Sequence, residues 1–206
     1  MRSAVVALDH LVLATPDLAA TTAWLTQATG VVPSAGGAHV GKGTRNMLCS
    51  LGQTSYLEIV GPDLDQDDPP AARPFGIDAL LKPEVVGWAI AVPDMRAELA
   101  TARSRGYDPG EAAAMQRRRP DGIVLSWQLT ISPSRTMPFL IDWGGSPHPA
   151  PHAANGLELV DLRARHPDPG LLAMKLAALG VTMGIEHGGE ALLVQLHGPS
   201  GMLDFD

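Results

Sequence analysis

The stretch GGAHVGKGTRNMLCSLGQTSYLEIVGPD, residues 36–63, decides how the rest of the chain is interpreted. Short apolar runs at residues 47–51 and 56–60 predict two buried strands, separated by a polar turn at residues 52–55. Strands beside a glycine-rich bend can direct a few polar side chains into one concavity. The candidates for such a site are His39, Asn46 and Glu58, with His10 from the first predicted strand (residues 5–14) as a fourth.

The composition predicts a folded protein that does not bind nucleic acid. The chain has 206 residues, of which 45% are apolar and 18% charged, so it can bury a sizeable core. The net charge of −7, from 15 Lys and Arg against 22 Asp and Glu, would repel phosphate backbones. No run approaches the roughly 20 apolar residues of a membrane helix, so no membrane contact is expected. The single cysteine, Cys49, is expected to be a buried small side chain, and its isolation favours a cytoplasmic location.

A strand, a Pro-Asp pair, a helix and two or three further strands recur three times along the chain. The Pro-Asp pairs fall at residues 16–17, 93–94 and 167–168, and each aspartate can cap the helix that follows. The predicted helices cover residues 18–29, 95–105 and 171–179, and a glycine follows each. One such unit alone buries too little to be stable. We therefore predict an α+β fold in which the repeated units form curved mixed sheets around a cleft, with the helices outside.

Two proline-rich stretches separate the repeats. Residues 62–74 are acidic and predict a surface connection, and residues 144–156 have the composition of a linker. His148 and His152 lie four residues apart in the linker, but its prolines exclude the helix that would make them a metal-binding pair, so they are expected to be exposed. The three arginines of residues 117–119 predict a solvated hairpin tip, with a role in holding an anionic substrate as the alternative.

The opening strand and residues 36–63 together resemble the glyoxalase-like branch of the vicinal oxygen chelate superfamily. The matching motifs are LDHLV at residues 8–12, PDL at 16–18, GG-x-H at 36–39, GT-x-N at 43–46 and YLE at 56–58. PFLIDW at residues 138–143 looks like the closing strand of a second module. The resemblance implies paired βαβββ modules, at about residues 1–62 and 84–145, with a partial third at 157–206, in a single glyoxalase-like domain spanning residues 1–206.

The resemblance also implies a divalent metal in the cleft. Carried over to this sequence, the ligand positions of the first module are His10 and Glu58. In the second module Gly87 falls opposite His10 and offers no ligand atom, whereas Asp142 falls opposite Glu58. His39 could replace the missing ligand. A set of His10, His39 and Glu58 suits Fe(II), Mn(II), Ni(II) or Zn(II), and a cleft without any metal is the alternative.

Glu58 and His39 are the candidates for proton transfer to and from a substrate. Thr44 and Asn46 either contact substrate or satisfy the backbone of the turn, and Trp127 and Trp143 either form the cavity wall or stack on a ligand. The candidate substrate contacts are His39, Thr44, Asn46, Trp127, Asp142 and Trp143.

Three functions remain open at this point. The first is a glyoxalase-like lyase, isomerase or dioxygenase that acts on a small oxygenated metabolite, with or without a metal. The second is a metal-free protein that binds or sequesters a small molecule in the same cleft. The third is a scaffold whose cleft is vestigial, and exposed sheet edges between modules favour a homodimer.

Overall fold

The structure is a computed structural model that describes residues 8–132 and 134–206. Within these residues the chain passes three times through a strand, a helix and three strands. The first round is β1 (Leu8–Ala14), α1 (Leu18–Thr29), β2 (Ser34–His39), β3 (Thr44–Ser50) and β4 (Tyr56–Pro62). The second is β5 (Glu84–Ala91), α2 (Met95–Ser104), β6 (Ala112–Arg118), β7 (Val124–Thr130) and β8 (Phe139–Asp142). The third is β9 (Glu158–His166), α3 (Pro169–Ala178), β10 (Gly184–His187), β11 (Ala191–Gly198) and β12 (Gly201–Phe205).

The predicted α+β class and the three helices are confirmed. Each helix begins after the expected aspartate, because Asp17, Asp94 and Asp168 accept hydrogen bonds from backbone N–H groups in the first turn. Gly30 ends α1 in the left-handed conformation, with φ of 77°. The start of the first predicted strand lies outside the described residues. The glycine-rich bend is confined to residues 40–43, between β2 and β3, because residues 36–39 before it belong to strand β2.

The first two rounds close into one eight-stranded barrel, in the order β1-β4-β3-β2-β6-β7-β8-β5. Two seams join the rounds: β1 pairs with β5 along most of its length, whereas β2 pairs with β6 at only two positions. The expected cleft between two curved sheets is therefore the interior of a closed barrel. Along β1, His10 and Val12 point inward and Leu11 and Leu13 outward, as the period-two alternation of a strand requires.

The third round has the same order of elements but pairs its strands differently. It forms a separate sheet, β10-β9-β11-β12, in which β9 pairs with β10 in parallel and with β11 antiparallel. In the other two rounds the first strand pairs with the last, as β1 does with β4. The helices and this sheet pack on the outer face of the barrel around one apolar cluster, which includes Leu11, Leu25, Trp88, Leu172 and Leu192.

Barrel closure changes the argument for a homodimer. Among the described strands, only β10 and β12 stand at the edge of a sheet, because the other sheet is closed. The exposed edges expected between the first two modules are absent from the described residues. The homodimer stays a prediction that these strand pairings do not test.

Cys49 is fully buried in β3, and burial raises the pKa of its thiol to about 12. The expectation of a buried small side chain is confirmed. None of the helices in the described part of the chain is both long and apolar enough to cross a membrane. The cytoplasmic location stays a prediction.

Two glycines of β2 allow close approaches, one at the narrow seam with β6 and one to the side chain of Asn46. At Gly37, which has φ of 134°, an added Cβ would collide with the backbone carbonyl oxygen of Arg118 on β6. At Gly36, an added Cβ would collide with the side-chain oxygen of Asn46. The first glycine therefore lets β2 approach β6, and the second leaves room for a polar side chain of the neighbouring strand.

Gly37→Ala should destabilise the protein by about 2–4 kcal/mol, since it combines backbone strain with a clash that no flexible side chain can relieve. Gly41→Ala is the matched control: its φ of 69° is also positive, but nothing lies within 4 Å of the added Cβ, so about 1 kcal/mol is expected. Urea unfolding of the two variants and the wild type measures both values. Equal losses would show that the close approach of β2 to β6 is not a constraint.

Candidate active site

A cavity of about 830 Å³ occupies the interior of the barrel. Its walls are mostly apolar, with Val60, Trp127, Phe139 and Ile141 facing inward from three strands, β4, β7 and β8. Residues 69–72 and 74–76, at the end of the acidic connection and just beyond it, also line the cavity, so the surface loop predicted from residues 62–74 covers one side of the opening. A cavity of this size can enclose a small organic molecule.

The polar part of the wall centres on Glu58, whose residue is only 7% exposed. Its Oε1 accepts a hydrogen bond from Asn46 Nδ2 at 2.5 Å. The Nε2 atom of His39 lies 3.4 Å from Oε1, and the Nε2 atom of His10 lies 3.8 Å from Oε2. The structure thus brings His10, His39, Asn46 and Glu58 together, as the sequence predicts.

Strand pairing explains why these four side chains meet. His39 ends β2 and pairs with Thr44, the first residue of β3, whose Oγ1 lies 2.9 Å from His39 Nδ1. Asn46 follows two residues later on the same face of β3 and reaches both Glu58 and, at 3.2 Å, His39 Nε2. Its side-chain oxygen has no hydrogen-bond partner among the described residues. Asn46 therefore lies behind the carboxylate and holds it in place.

Asp9 orients His10. Its Oδ1 lies 2.6 Å from His10 Nδ1, and its Oδ2 accepts the indole N–H of Trp143 at 2.8 Å. Because Asp9 fixes a proton on Nδ1, the Nε2 atom of His10 is turned toward Glu58. Burial by itself raises the pKa of Asp9, but the bonds from His10, His148 and Trp143 outweigh it and hold that pKa below its usual range.

His148 is a further partner of Asp9, and the expectation that it is exposed is wrong. Its Nε2 lies 3.0 Å from Asp9 Oδ2, while its Nδ1 accepts the N–H of Ala150. Its ring stands edge-on to those of Tyr56 and Trp143. The linker folds back here because Ala150 is fully buried and Ser50 donates its N–H to the carbonyl of residue 154. His152 is exposed as predicted.

The carboxyl of Glu58 is ionised in this environment. Burial by itself raises its pKa, but the hydrogen bond and charge of His39, the charge of His10 and the bond from Asn46 outweigh it. The resulting pKa is about 2, compared with an ordinary value of 4.5. Burial, the charge of Asp9 and the charge of Glu58 together raise the pKa of Tyr56. The ring of Tyr56 stacks on that of His10, with centroids 4.7 Å apart.

The remaining predicted contacts separate into two groups. Thr44, Trp127 and Trp143 line the cavity, as does Gly87, the position opposite His10. Asp142 is not in the cavity lining: its Oδ2 accepts the N–H of Met95 at 3.0 Å and its Oδ1 that of Gly144 at 2.8 Å. Asp142 therefore supports the start of α2, and its place in the strand gives no access to the interior.

Arg117 lies in the cavity, although the sequence predicts a solvated hairpin tip from the three arginines of residues 117–119. It is only 3% exposed and lines the interior, whereas Arg118 is exposed and Arg119 forms an ion pair with Asp121. The alternation of β6 separates the first two, since neighbouring residues of a strand face opposite sides. Strand alternation in the sequence could have shown this difference, had the inward face been known.

The side chains around Glu58 are of the chemical types that bind a divalent metal, but their positions suit an ion less well. Two imidazoles, one of them oriented by a carboxylate, and one ionised carboxylate are ligands that such metals favour. However, no group of three or more His, Cys, Asp or Glu side chains in residues 8–132 and 134–206 is placed so that it could hold an ion. The ligand set stays a prediction.

A closed barrel made of two βαβββ rounds, with a polar cluster on its inner wall, defines the vicinal oxygen chelate class of folds. The family model described as "Glyoxalase-like domain" matches residues 8–180, and the chain belongs to that family.

Two solved structures share this fold, and a third is less similar. A hypothetical protein from Staphylococcus aureus has a TM-score of 0.66 at 12% identity, over 97% of this chain and 98% of the other. A mutant 4-hydroxymandelate synthase from Streptomyces coelicolor has a TM-score of 0.52 at 15% identity, over 98% of this chain and 62% of the other. Methylmalonyl-CoA epimerase from Mycobacterium tuberculosis has a TM-score of 0.44 at 18% identity, over 69% and 89%. No curated protein matches the chain.

Acid should reveal the environment of Glu58. Because its pKa in the folded protein is lower than its ordinary value, its stabilising contribution is complete above about pH 4.5 and is lost as the pH falls toward 2. Relative to Glu58→Gln, which cannot titrate there, the wild type should lose roughly 2 kcal/mol of unfolding free energy between about pH 6 and about pH 3. Urea unfolding at both pH values measures this difference, and parallel pH profiles would contradict the ion-paired state.

Proposed function

We propose that this protein is a glyoxalase-like enzyme that moves a proton on a small oxygenated metabolite inside the barrel. The observation that carries the proposal is the buried, ionised Glu58, which is bonded to Asn46 and faced by the Nε2 atoms of two imidazoles on the wall of an enclosed cavity. A buried charge with fixed partners and access to a cavity is typical of catalytic sites. Lyases and isomerases use such a group next to a carbonyl carbon.

The properties of the two candidate groups divide their roles. A carboxylate whose pKa is about 2 holds a proton weakly, so Glu58 is a poor base by itself. Imidazole has an ordinary pKa in the neutral range, which suits it to take and return a proton. In the proposed reaction His39 Nε2 accepts the substrate proton, and Glu58 Oε1, 3.4 Å away, stabilises the imidazolium that forms.

The surroundings keep this pair in position. Thr44 Oγ1 contacts the other ring nitrogen of His39, so the ring cannot turn without losing that bond. Asn46 prevents Glu58 from rotating toward solvent, and the apolar wall excludes water that would compete for the proton. Tyr56, stacked on His10, closes the site on the side of β4.

A divalent metal in this proposal would be held by His10, His39 and Glu58. When bound, it would polarise a substrate carbonyl oxygen and stabilise the negative charge that develops there. The hydrogen bond that His10 Nδ1 donates to Asp9 supports this extension of the proposal, because metal-binding histidines almost always donate their second N–H in this way.

A second candidate function is metal-free binding of a small molecule. Two observations favour it: Gly87 supplies no ligand atom, and both oxygens of Asp142 are occupied by backbone N–H groups. In that case the cavity would retain a ligand through its apolar wall, and the cluster around Glu58 would only orient it.

Proton transfer can be tested without knowledge of the natural substrate. A panel of 2-oxo acids and hydroxyketones, incubated with the protein in D₂O, should show exchange of a carbon-bound proton by NMR for at least one compound. His39→Ala and Glu58→Gln should each slow the exchange at least about 100-fold, in the range expected for loss of general base catalysis. His152→Ala is the matched control, because that histidine is exposed outside the barrel. Binding of panel compounds without exchange would favour the second candidate.

Metal dependence has a separate test. Incubation with Fe(II), Mn(II), Ni(II) or Zn(II) should raise the melting temperature, since a ligand that binds only the folded state stabilises it. His10→Ala should abolish the rise, and His152→Ala should retain it. If none of the four ions shifts the melting temperature, the metal part of the proposal is wrong and the proton-transfer part stands on its own test.

A further inference from the structure

Arg117 is a buried cation that the proposed proton transfer does not use. It is 3% exposed, and its side chain lines the cavity. Its Nε has no hydrogen-bond partner among the described residues, and no ion pair joins its guanidinium to a carboxylate there. Burial of an uncompensated charge is costly, and buried arginines are therefore normally paired. The arrangement indicates that the partner of Arg117 is a molecule that enters the cavity.

The ring of Trp127 lies beside it. Trp127 is 8% exposed and lines the same cavity, whereas its Nε1 is buried away from the cavity and has no hydrogen-bond partner in the described part of the chain. On paired strands β6 and β7, Arg117 lies opposite Leu125 and Trp127 lies opposite Met115. Arg117 and Trp127 are therefore diagonal neighbours on the inner face, within reach of side chains of this length.

We propose that Arg117, beside the ring of Trp127, forms a subsite for the carboxylate of a small organic acid with an apolar body. The planar guanidinium matches a carboxylate with two parallel hydrogen bonds. A neutral carbonyl would satisfy the donors but would leave the buried charge uncompensated. The apolar residues Val60, Phe139 and Ile141 provide the surface for the body of the acid.

The position of this subsite identifies the part of the acid that reacts. Arg117 on β6 is the register partner of His39 on β2, so the two side chains are neighbours across the narrow seam. A carboxylate at Arg117 brings the adjacent carbon atoms next to His39 and Glu58. This last step rests on the proposed function, whereas binding of the carboxylate does not.

The test compares charged and neutral probes of the same shape. Hexanoate and phenylacetate are each titrated against the protein together with hexanamide and phenylacetamide, and hexyl phosphate is added as a different anion; isothermal calorimetry gives the affinities. At least one acid should bind about tenfold or more tightly than its amide, a preference typical of a charged hydrogen bond. Arg117→Met should remove the preference, and Arg117→Lys should retain part of it.

Three further variants separate the possible roles. Arg118→Met, a change of the neighbouring arginine on the outer face, should leave the preference unchanged. Trp127→Phe keeps an aromatic ring in the wall and removes an N–H that is buried away from the cavity, so it should also leave the preference unchanged. Glu58→Gln should bind the acids at least as tightly as the wild type, since it removes a nearby negative charge. If Glu58→Gln binds the acids normally and neither it nor the wild type exchanges protons, the carboxylate subsite is supported and the proposed reaction is wrong.

Melting temperatures complete the design. Without ligand, Arg117→Met should melt at the same temperature as the wild type or higher, because it removes an unpaired buried charge. A large decrease, or failure of this variant to fold, would assign Arg117 a structural role and overturn the proposal. So would equal affinity for every acid and its amide, absence of binding by both acids, or tighter binding of hexyl phosphate than of hexanoate.

Discussion

The site depends on a backbone constraint, the narrow seam between β2 and β6. Only Ala38 with Arg118 and His39 with Arg117 pair there, yet this pairing closes the eight-stranded order into a barrel. Without it, the interior would be an open groove, and water would reach the carboxylate of Glu58. Gly37 permits the close approach, because a side chain at that position would collide with the opposite backbone. The seam also makes neighbours of an imidazole from one round and a guanidinium from the other.

The charges inside the barrel are compensated in unequal ways. Asp9 has His10, His148 and Trp143 as partners, and Glu58 has Asn46 with an imidazole on each side. Both carboxylates therefore stay ionised although they are buried. Arg117 lacks comparable partners among the described residues. Asp9 and Glu58 are held by partners within the protein, whereas Arg117 is the charged group for which a ligand would supply the missing partner.

The sequence predicts the local features of this fold well and its long-range features poorly. The capping aspartates and Gly30 act within one turn of chain, so their residue types suffice to place the helices. The convergence of His39, Asn46 and Glu58 was also predictable, because three consecutive antiparallel strands, β2, β3 and β4, hold them. Arg117 and His148 depend on pairings with residues far away in the chain: β6 meets β2 across the seam, and the linker returns to Asp9. For Asp142 the sequence predicts a site residue that the structure places outside the cavity lining. Its alignment with Glu58 does not reveal that both of its carboxylate oxygens accept hydrogen bonds from backbone N–H groups.

The two rounds of the barrel share a backbone plan but not a set of side chains. The first round supplies the acid–base groups, His10, His39 and Glu58. At the corresponding places the second round has Gly87, which has no side chain to offer the cavity, and Asp142, which supports a helix. What the second round contributes to the cavity instead is the positive charge of Arg117 on β6 and the ring of Trp127 on β7. A symmetric barrel would present the same chemistry from both halves, whereas this one places a proton-transfer wall beside a wall suited to hold an anion. That asymmetry gives an anionic substrate a defined orientation, because its negatively charged end is attracted to Arg117 and repelled by Glu58.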